Sequence, residues 1–232
     1  LILKPLFFLT TKPEWSDGLK IPATGGCVLV VNHLSHVDPL TAAVFTYDHG
    51  RLPRYLAKSG LFRSRFLGHF MRSAGQIPVE RASAGAAGAY AAAVEAVRAG
   101  ECIVIYPEGT ITRDPDLWPM TGKSGAARIA LETGCPVIPV GQWGAQDLLA
   151  PYAKRPDLFP RKTIRIRVGD PVDLSDLADR PRTAAVLAEA TERIMDAITH
   201  IVEELRGETA PAERFDIRKA GAGDDHPREE AG

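Results

Sequence analysis

Three short runs, Val28–Val31, Cys102–Tyr106 and Pro136–Val140, are apolar at nearly every position and rich in β-branched residues. A strand with one wet face alternates apolar and polar residues, whereas a run without alternation reads as a strand buried on both faces. Helical segments fall between and around these runs. Pro39–Phe45 opens on a Pro suited to a first turn, Ala84–Arg98 is Ala-rich and stops at Gly100, and Gly125–Thr133 is closed by Gly134. Strand and helix in alternation predict an α/β fold, a twisted and mostly parallel sheet covered by helices on both faces. In Thr163–Val168, Ile164, Ile166 and Val168 alternate with Arg165 and Arg167, which predicts one buried and one basic face. From Thr183 to Arg206, Leu187, Ala190, Ile194, Ala197, Ile198, Ile201 and Leu205 make one apolar stripe, that of a helix laid on the sheet.

The 232 residues suit one domain, read here as residues 1–206, with 1–20 as an arm and 207–232 as a tail. The net charge of −1 conceals a split. Residues 207–232 hold four basic and seven acidic side chains, −3, which leaves +2 on the body. That excludes a strong nucleic-acid signal. The tail has almost no large apolar residue and is expected to be disordered. Cys27, Cys102 and Cys135 form no C-x-x-C pair, sit beside expected strands, and read as buried thiols in a reducing compartment. No apolar run reaches the ~18 residues of a membrane span. The chain does not begin with Met, which leaves an upstream segment, an anchor included, open.

Two stretches have an interfacial character. Leu1–Leu9 is apolar, and reads equally as the end of an interfacial helix or as a packed arm. Phe62, Phe66, Leu67, Phe70 and Met71 fall at helical spacing, flanked by Arg63, Arg65 and Arg72. This suits an anionic bilayer surface, or a core helix with a basic outer face.

The chemistry gathers after the strands, where α/β folds place their sites. Asn32-His33-Leu34-Ser35-His36-Val37-Asp38-Pro39 follows the first buried run. Asp38 is placed to cap the helix that Pro39 opens, or to meet His33 across the turn. A carboxylate on one imidazole nitrogen fixes the tautomer and frees the other as a base. Such a dyad can deprotonate an alcohol for attack on a thioester with no Ser or Cys nucleophile. His36 is the competing base, and His33 is preferred because it follows the strand directly. Tyr106-Pro107-Glu108-Gly109-Thr110 ends the second run. Gly109 allows close approach of backbone to a ligand, and Thr110 adds a donor. Glu108 is placed to accept from a substrate hydroxyl or to hold a cation. Arg81, in Gly75-Gln76-Ile77-Pro78-Val79-Glu80-Arg81, offers a forked donor suited to phosphate.

Together these segments resemble the glycerolipid acyltransferases, the family of the lysophosphatidic acid acyltransferases. The H-x-x-x-x-D motif is matched by His33 and Asp38, and the Gly-to-Arg motif by Gly75 and Arg81, with Val79-Glu80 between. The Phe-Pro-Glu-Gly-Thr motif is matched with Tyr106 in place of Phe, and the apolar strand around an inner Pro by Val137–Val140. The four motifs occur in the family's order, across roughly residues 21–171.

The resemblance implies His33 as base, Asp38 as its orienting partner, and Arg81 with Glu108, Gly109 and Thr110 around the acceptor's glycerol phosphate. Lys58 and Lys123 fall where relatives carry basic residues and are further phosphate candidates. It implies an acyl thioester donor, acyl-CoA or acyl carrier protein, and a lysophosphatidic acid acceptor, glycerol-3-phosphate or another lysophospholipid being the alternative. No metal-ligand spacing or dinucleotide fingerprint occurs, so neither metal nor cofactor is expected. Lipid substrates imply contact with a membrane surface, at the cytoplasmic face and held peripherally or monotopically. A non-catalytic lipid-binding protein on the same fold has no need of the dyad, and a Ser-hydrolase would show a G-x-S-x-G elbow, absent here.

Overall fold

The computed structural model describes residues 4–73, 75–79 and 85–220. Its strands are β1 (Thr11–Ser16), β2 (Cys27–Val31), β3 (Pro53–Arg54), β4 (Leu56–Lys58), β5 (Ile77–Val79), β6 (Cys102–Ile105), β7 (Val137–Trp143) and β8 (Lys162–Val168). Its α-helices are α1 (Lys4–Thr10), α2 (Asp38–Asp48), α3 (Arg65–Ser73), α4 (Gly85–Arg98), α5 (Gly125–Thr133), α6 (Ala145–Leu148), α7 (Ser175–Ala178), α8 (Ala184–Arg206) and α9 (Ile217–Ala220). The main sheet has the order β1-β8-β7-β2-β6-β3, and β4 and β5 pair separately. Every pairing in the main sheet is parallel except β7 with β8.

That reversal has a local cause. A parallel return needs a crossover, usually a long helix. The segment between Trp143 and Lys162 carries only the one-turn α6, so the chain comes back from the end at which β7 stopped. Trp143 faces Arg165, and Thr11 faces Lys162. The first residues of β1 and β8 therefore lie at the carboxyl end of β2, β6 and β7.

All five residues of β2 are buried, as a run without alternation requires. Val28 and Val30 join the core under α4, α5 and α8. Cys27, Leu29 and Val31 join a second core with Phe7 of α1 and Phe45 of α2. Helices thus cover both faces, as expected. Helix α8 turns Ala190, Ile194 and Ile198 to the sheet, capped by Thr183 at its start and by left-handed Gly207 at its end. In β8, Ile164, Ile166 and Val168 are buried while Arg165 is exposed. Cys27 and Cys102 are buried and Cys135 partly so, all as free thiols.

Three readings need adjustment. The arm packs through one side chain only: Phe7 of α1 is buried, while Leu6 and Leu9 are exposed. The Phe62–Arg72 stretch is not one helix, because a 3-10 turn over Ser59–Arg63 precedes α3. Arg63, Arg65 and Arg72 are exposed there, and the side chains of Phe66, Leu67 and Phe70 lie outside the described residues. The segment after Gly207, expected to be disordered, is tied to the body as far as Phe215 and then forms the short α9. Thr121 N donates to Phe215 O (3.0 Å), and Arg214 pairs with Glu192 and Asp196 of α8. Ion pairs and backbone bonds hold it, and composition registers neither. Residues 221–232 of that tail lie outside the described residues. No helix among the described residues is long and apolar enough to cross a membrane.

Candidate active site

β2 ends at Val31, and the chain turns through residues 32–37 into α2. Two buried polar residues hold the start of that turn. Asn32 Nδ2 donates to Gln142 O (3.0 Å), and Asn32 Oδ1 accepts from Gln142 N (2.8 Å). Gln142 Nε2 in turn donates to Asn32 O (2.9 Å). The carboxyl ends of β2 and β7 are thereby locked together, and every donor in the exchange has a buried acceptor.

Asp38 is fully buried and is the first residue of α2, but its side chain does not cap the helix. It points back into the turn. Its Oδ2 accepts from Leu34 N (2.5 Å), Ser35 N (2.8 Å) and His33 Nδ1 (2.8 Å). Burial raises the carboxyl above its ordinary range, against the opposing pull of the bond to His33 and of the two amides. The amides fix the carboxylate, the carboxylate fixes the imidazole, and Nε2 is left as the ring's other nitrogen. The His33 side chain keeps 16% exposure. His36 is exposed and meets the ring of Tyr152, not Asp38. Ser35, the hydroxyl within the turn, is buried and donates to Leu149 O (2.6 Å), which removes it as a nucleophile.

Tyr106, at the end of β6, stacks on His33 with ring centroids 4.3 Å apart and planes 27° apart. Tyr55 lies nearly parallel to Tyr106, with centroids 6.5 Å apart. The His33 ring is thus held by a carboxylate at its edge and an aromatic face beside it.

Glu108 takes a different part from the one expected. It is 2% exposed, with Oε1 accepting from His33 N (2.8 Å) and Oε2 from Met120 N (3.0 Å). Burial pushes its carboxyl up to about 8 against the pull of those two amides. Rather than reaching for a hydroxyl or a cation, it braces the loop after β6 against the base-bearing turn. The bond from Thr112 N to His33 O (2.8 Å) adds a second tie.

Beyond Glu108 opens a cleft of about 790 Å³, lined among others by Thr110, Arg113, Lys123 and Arg218. Gly109 has φ +75°, and a Cβ there would stand 2.5 Å from Lys123 Nζ. Only glycine lets the lysine lie across this turn. Lys123 N also donates to Pro107 O (2.8 Å). Glu108, Thr110 and Lys123 line one cleft, and Gly109 lies against Lys123 beside them. His33 and Asp38 are not among the described residues lining this cleft; Glu108 stands between. Gly75 has φ +66°, with the Arg54 guanidinium where its Cβ would be. Arg81 lies outside the described residues, and of Lys58 only the backbone is described, at the end of β4. Gln142 was missed. Its one signal is a polar residue in the otherwise apolar run Val137–Trp143.

At the carboxyl end of its central strands this α/β sheet carries a histidine bonded to a buried carboxylate, an arrangement able to accept a proton from a hydroxyl. A family model described as Acyltransferase matches residues 14–143, more than half of the chain and inclusive of all four motifs, and the chain belongs to that family of enzymes. It is 28% identical over 182 residues to the 1-acyl-sn-glycerol-3-phosphate acyltransferase of Bacillus subtilis (strain 168), covering 76% of this chain and 83% of that protein. It is 34% identical over 135 residues to the protein of the same description from Borreliella burgdorferi, covering 54% of this chain and 52% of the other. The crystal structure of the 1-acyl-sn-glycerophosphate (LPA) acyltransferase PlsC from Thermotoga maritima superposes with a TM-score of 0.65 at 22% identity, over 90% of this chain and 78% of that one. That likeness bears on the fold.

Proposed function

We propose that this acyltransferase moves an acyl group from an acyl thioester onto the free hydroxyl of lysophosphatidic acid, in phospholipid synthesis. The observation that carries the reading is the bond from His33 Nδ1 to Asp38 Oδ2 at 2.8 Å, with Asp38 itself held by two backbone amides. His33 Nε2 takes the proton of the acceptor hydroxyl as its oxygen attacks the thioester carbonyl. The tetrahedral intermediate collapses, the C–S bond breaks, and the imidazolium returns its proton to the leaving thiolate. Products are an ester and a free thiol. His33 carries every proton, so the step as written calls on no resident metal or cofactor.

The acceptor phosphate is assigned to the basic groups around the Gly109 turn: Lys123, whose ammonium lies against it, with Thr110, and by motif position Arg81 and Lys58. The names of the two sequence relatives support lysophosphatidic acid over glycerol-3-phosphate as acceptor. The enzyme is assigned to the cytoplasmic face of a membrane, as a peripheral or monotopic protein. The test is to incubate the purified chain with labelled acyl-CoA or acyl carrier protein and a panel of glycerol-3-phosphate, lysophosphatidic acid and other lysolipids. Phosphatidic acid as the main labelled product is expected. Label in lysophosphatidic acid instead would move the enzyme one step earlier, and no labelled ester with any acceptor would remove the assignment.

A further inference from the structure

The apolar side chains Leu6, Leu9, Leu158 and Phe159 are exposed, the last at 64%. They belong to two segments that meet at one corner of the sheet. α1 runs directly into β1, residues 158–161 run directly into β8, and the two strands pair from Thr11 and Lys162 onward. Arg161 fastens the segments by donating to Phe8 O (2.8 Å) and Thr11 O. Because β8 runs against β7, this corner lies at the carboxyl end of the central strands, the end that carries His33. The loop between β7 and β8 reaches the dyad's own turn, where Ser35 donates to Leu149 O and His36 meets Tyr152.

The exposure of Leu158 and Phe159 is built in. On one side Asp157 N donates to Leu148 O (2.8 Å) and the Asp157 carboxylate pairs with Lys162 (2.7 Å); on the other stands the Arg161 strap. The backbone is held firmly while two large apolar side chains project into solvent. Lys154 and Arg155 stand just before them, also exposed. The one acid of residues 149–162, Asp157, is already paired. Protein interfaces deplete lysine around their apolar centres, whereas bilayer-binding surfaces set cations beside apolar side chains.

We propose that this corner docks on an anionic lipid bilayer, with Leu158 and Phe159 entering the headgroup layer and Lys154 and Arg155 pairing with lipid phosphates. Docking there turns the dyad's end of the sheet toward the membrane. The proposal rests on the lipid acceptor of the proposed function, and its test reads binding apart from catalysis. The full chain is floated with vesicles of phosphatidylglycerol in phosphatidylcholine, or of phosphatidylcholine alone, beside Leu158→Ser/Phe159→Ser and Lys154→Glu/Arg155→Glu. Activity is read in parallel on a short-chain acceptor dissolved below its micelle limit. The wild type is expected to float with the anionic vesicles, and the Ser pair to bind them about ten-fold or more weakly. The Glu pair should lose its preference for anionic vesicles and the salt dependence of binding. Both pairs should turn over the dissolved acceptor like the wild type. A wild type that binds no vesicle, a Ser pair that floats like the wild type, or an equal loss on the dissolved acceptor would overturn the proposal. A wild type that floats but leaves the dissolved acceptor unchanged would strike the catalytic reading and leave the docking result standing.

Discussion

The backbone N–H of His33 donates to Glu108 Oε1 at 2.8 Å, so the residue read as the base is held in place by the loop that opens the neighbouring cleft. The other oxygen of the same carboxylate holds Met120 N. Glu108→Ala would leave both amides without their acceptor, at roughly 1–3 kcal/mol for each buried group left unpaired. Denaturant unfolding should show a loss of that size, and acyl transfer should fall with it through a misplaced His33. A Glu108→Ala protein as stable as the wild type would show that water or a neighbour replaces the brace.

The same carboxyl gives stability a pH dependence. Burial sets Glu108 at about 8 in the folded chain, above the ordinary 4.5. The folded state therefore favours the protonated form. That contribution is complete below about pH 4.5, declines as pH rises, and is gone above about 8. Measured against Glu108→Gln, which does not titrate, the wild type should lose relative stability between pH 5 and 9. A constant difference across that range would show that the carboxyl does not titrate there.

Gly109 combines a left-handed φ with the contact to Lys123 Nζ. Gly109→Ala strains the backbone and pushes the ammonium off the turn. The expected effect is a rise in KM for the lysolipid, with KM for the thioester little changed. Lys123→Ala should share that pattern. Kinetics with each substrate varied in turn check both, and a defect confined to the thioester would move Lys123 to the donor's side.

Much of this was legible in the sequence, and what was not has a physical reason. The central strands announce themselves because burial on both faces leaves no room for polar residues. The alternation in β8 shows because one face is wet. β1 is Thr-Lys-Pro-Glu-Trp-Ser, an edge strand that tolerates Pro and charge, and its partner lies 151 residues away, so no local pattern marks it. His33 and Asp38 are legible by spacing. That Glu108 serves backbone amides is not, because a glutamate after a strand reads alike whether it faces solvent or two N–H groups. Gln142 depends on a pairing 110 residues distant.

That pairing carries its own expectation. Gln142→Leu keeps the bulk but strands Asn32 O without its donor, and sets an apolar side chain beside Thr41, whose hydroxyl lies 2.9 Å from Gln142 Oε1. A cost of about 1–3 kcal/mol is expected in thermal or chemical unfolding. An unchanged unfolding midpoint would show that the two bonds of the Gln142 side chain contribute nothing net.

The central claim is that His33 removes the acceptor's proton with Asp38 holding it. Its most direct test is single-turnover transfer of a labelled acyl group to lysophosphatidic acid by His33→Ala, Asp38→Asn and His36→Ala, each shown to be folded by circular dichroism. The account predicts a loss of about 10²–10⁴-fold for His33→Ala, a partial loss for Asp38→Asn, and near wild-type transfer for His36→Ala. Wild-type transfer by a folded His33→Ala chain, or loss confined to His36→Ala, would contradict it.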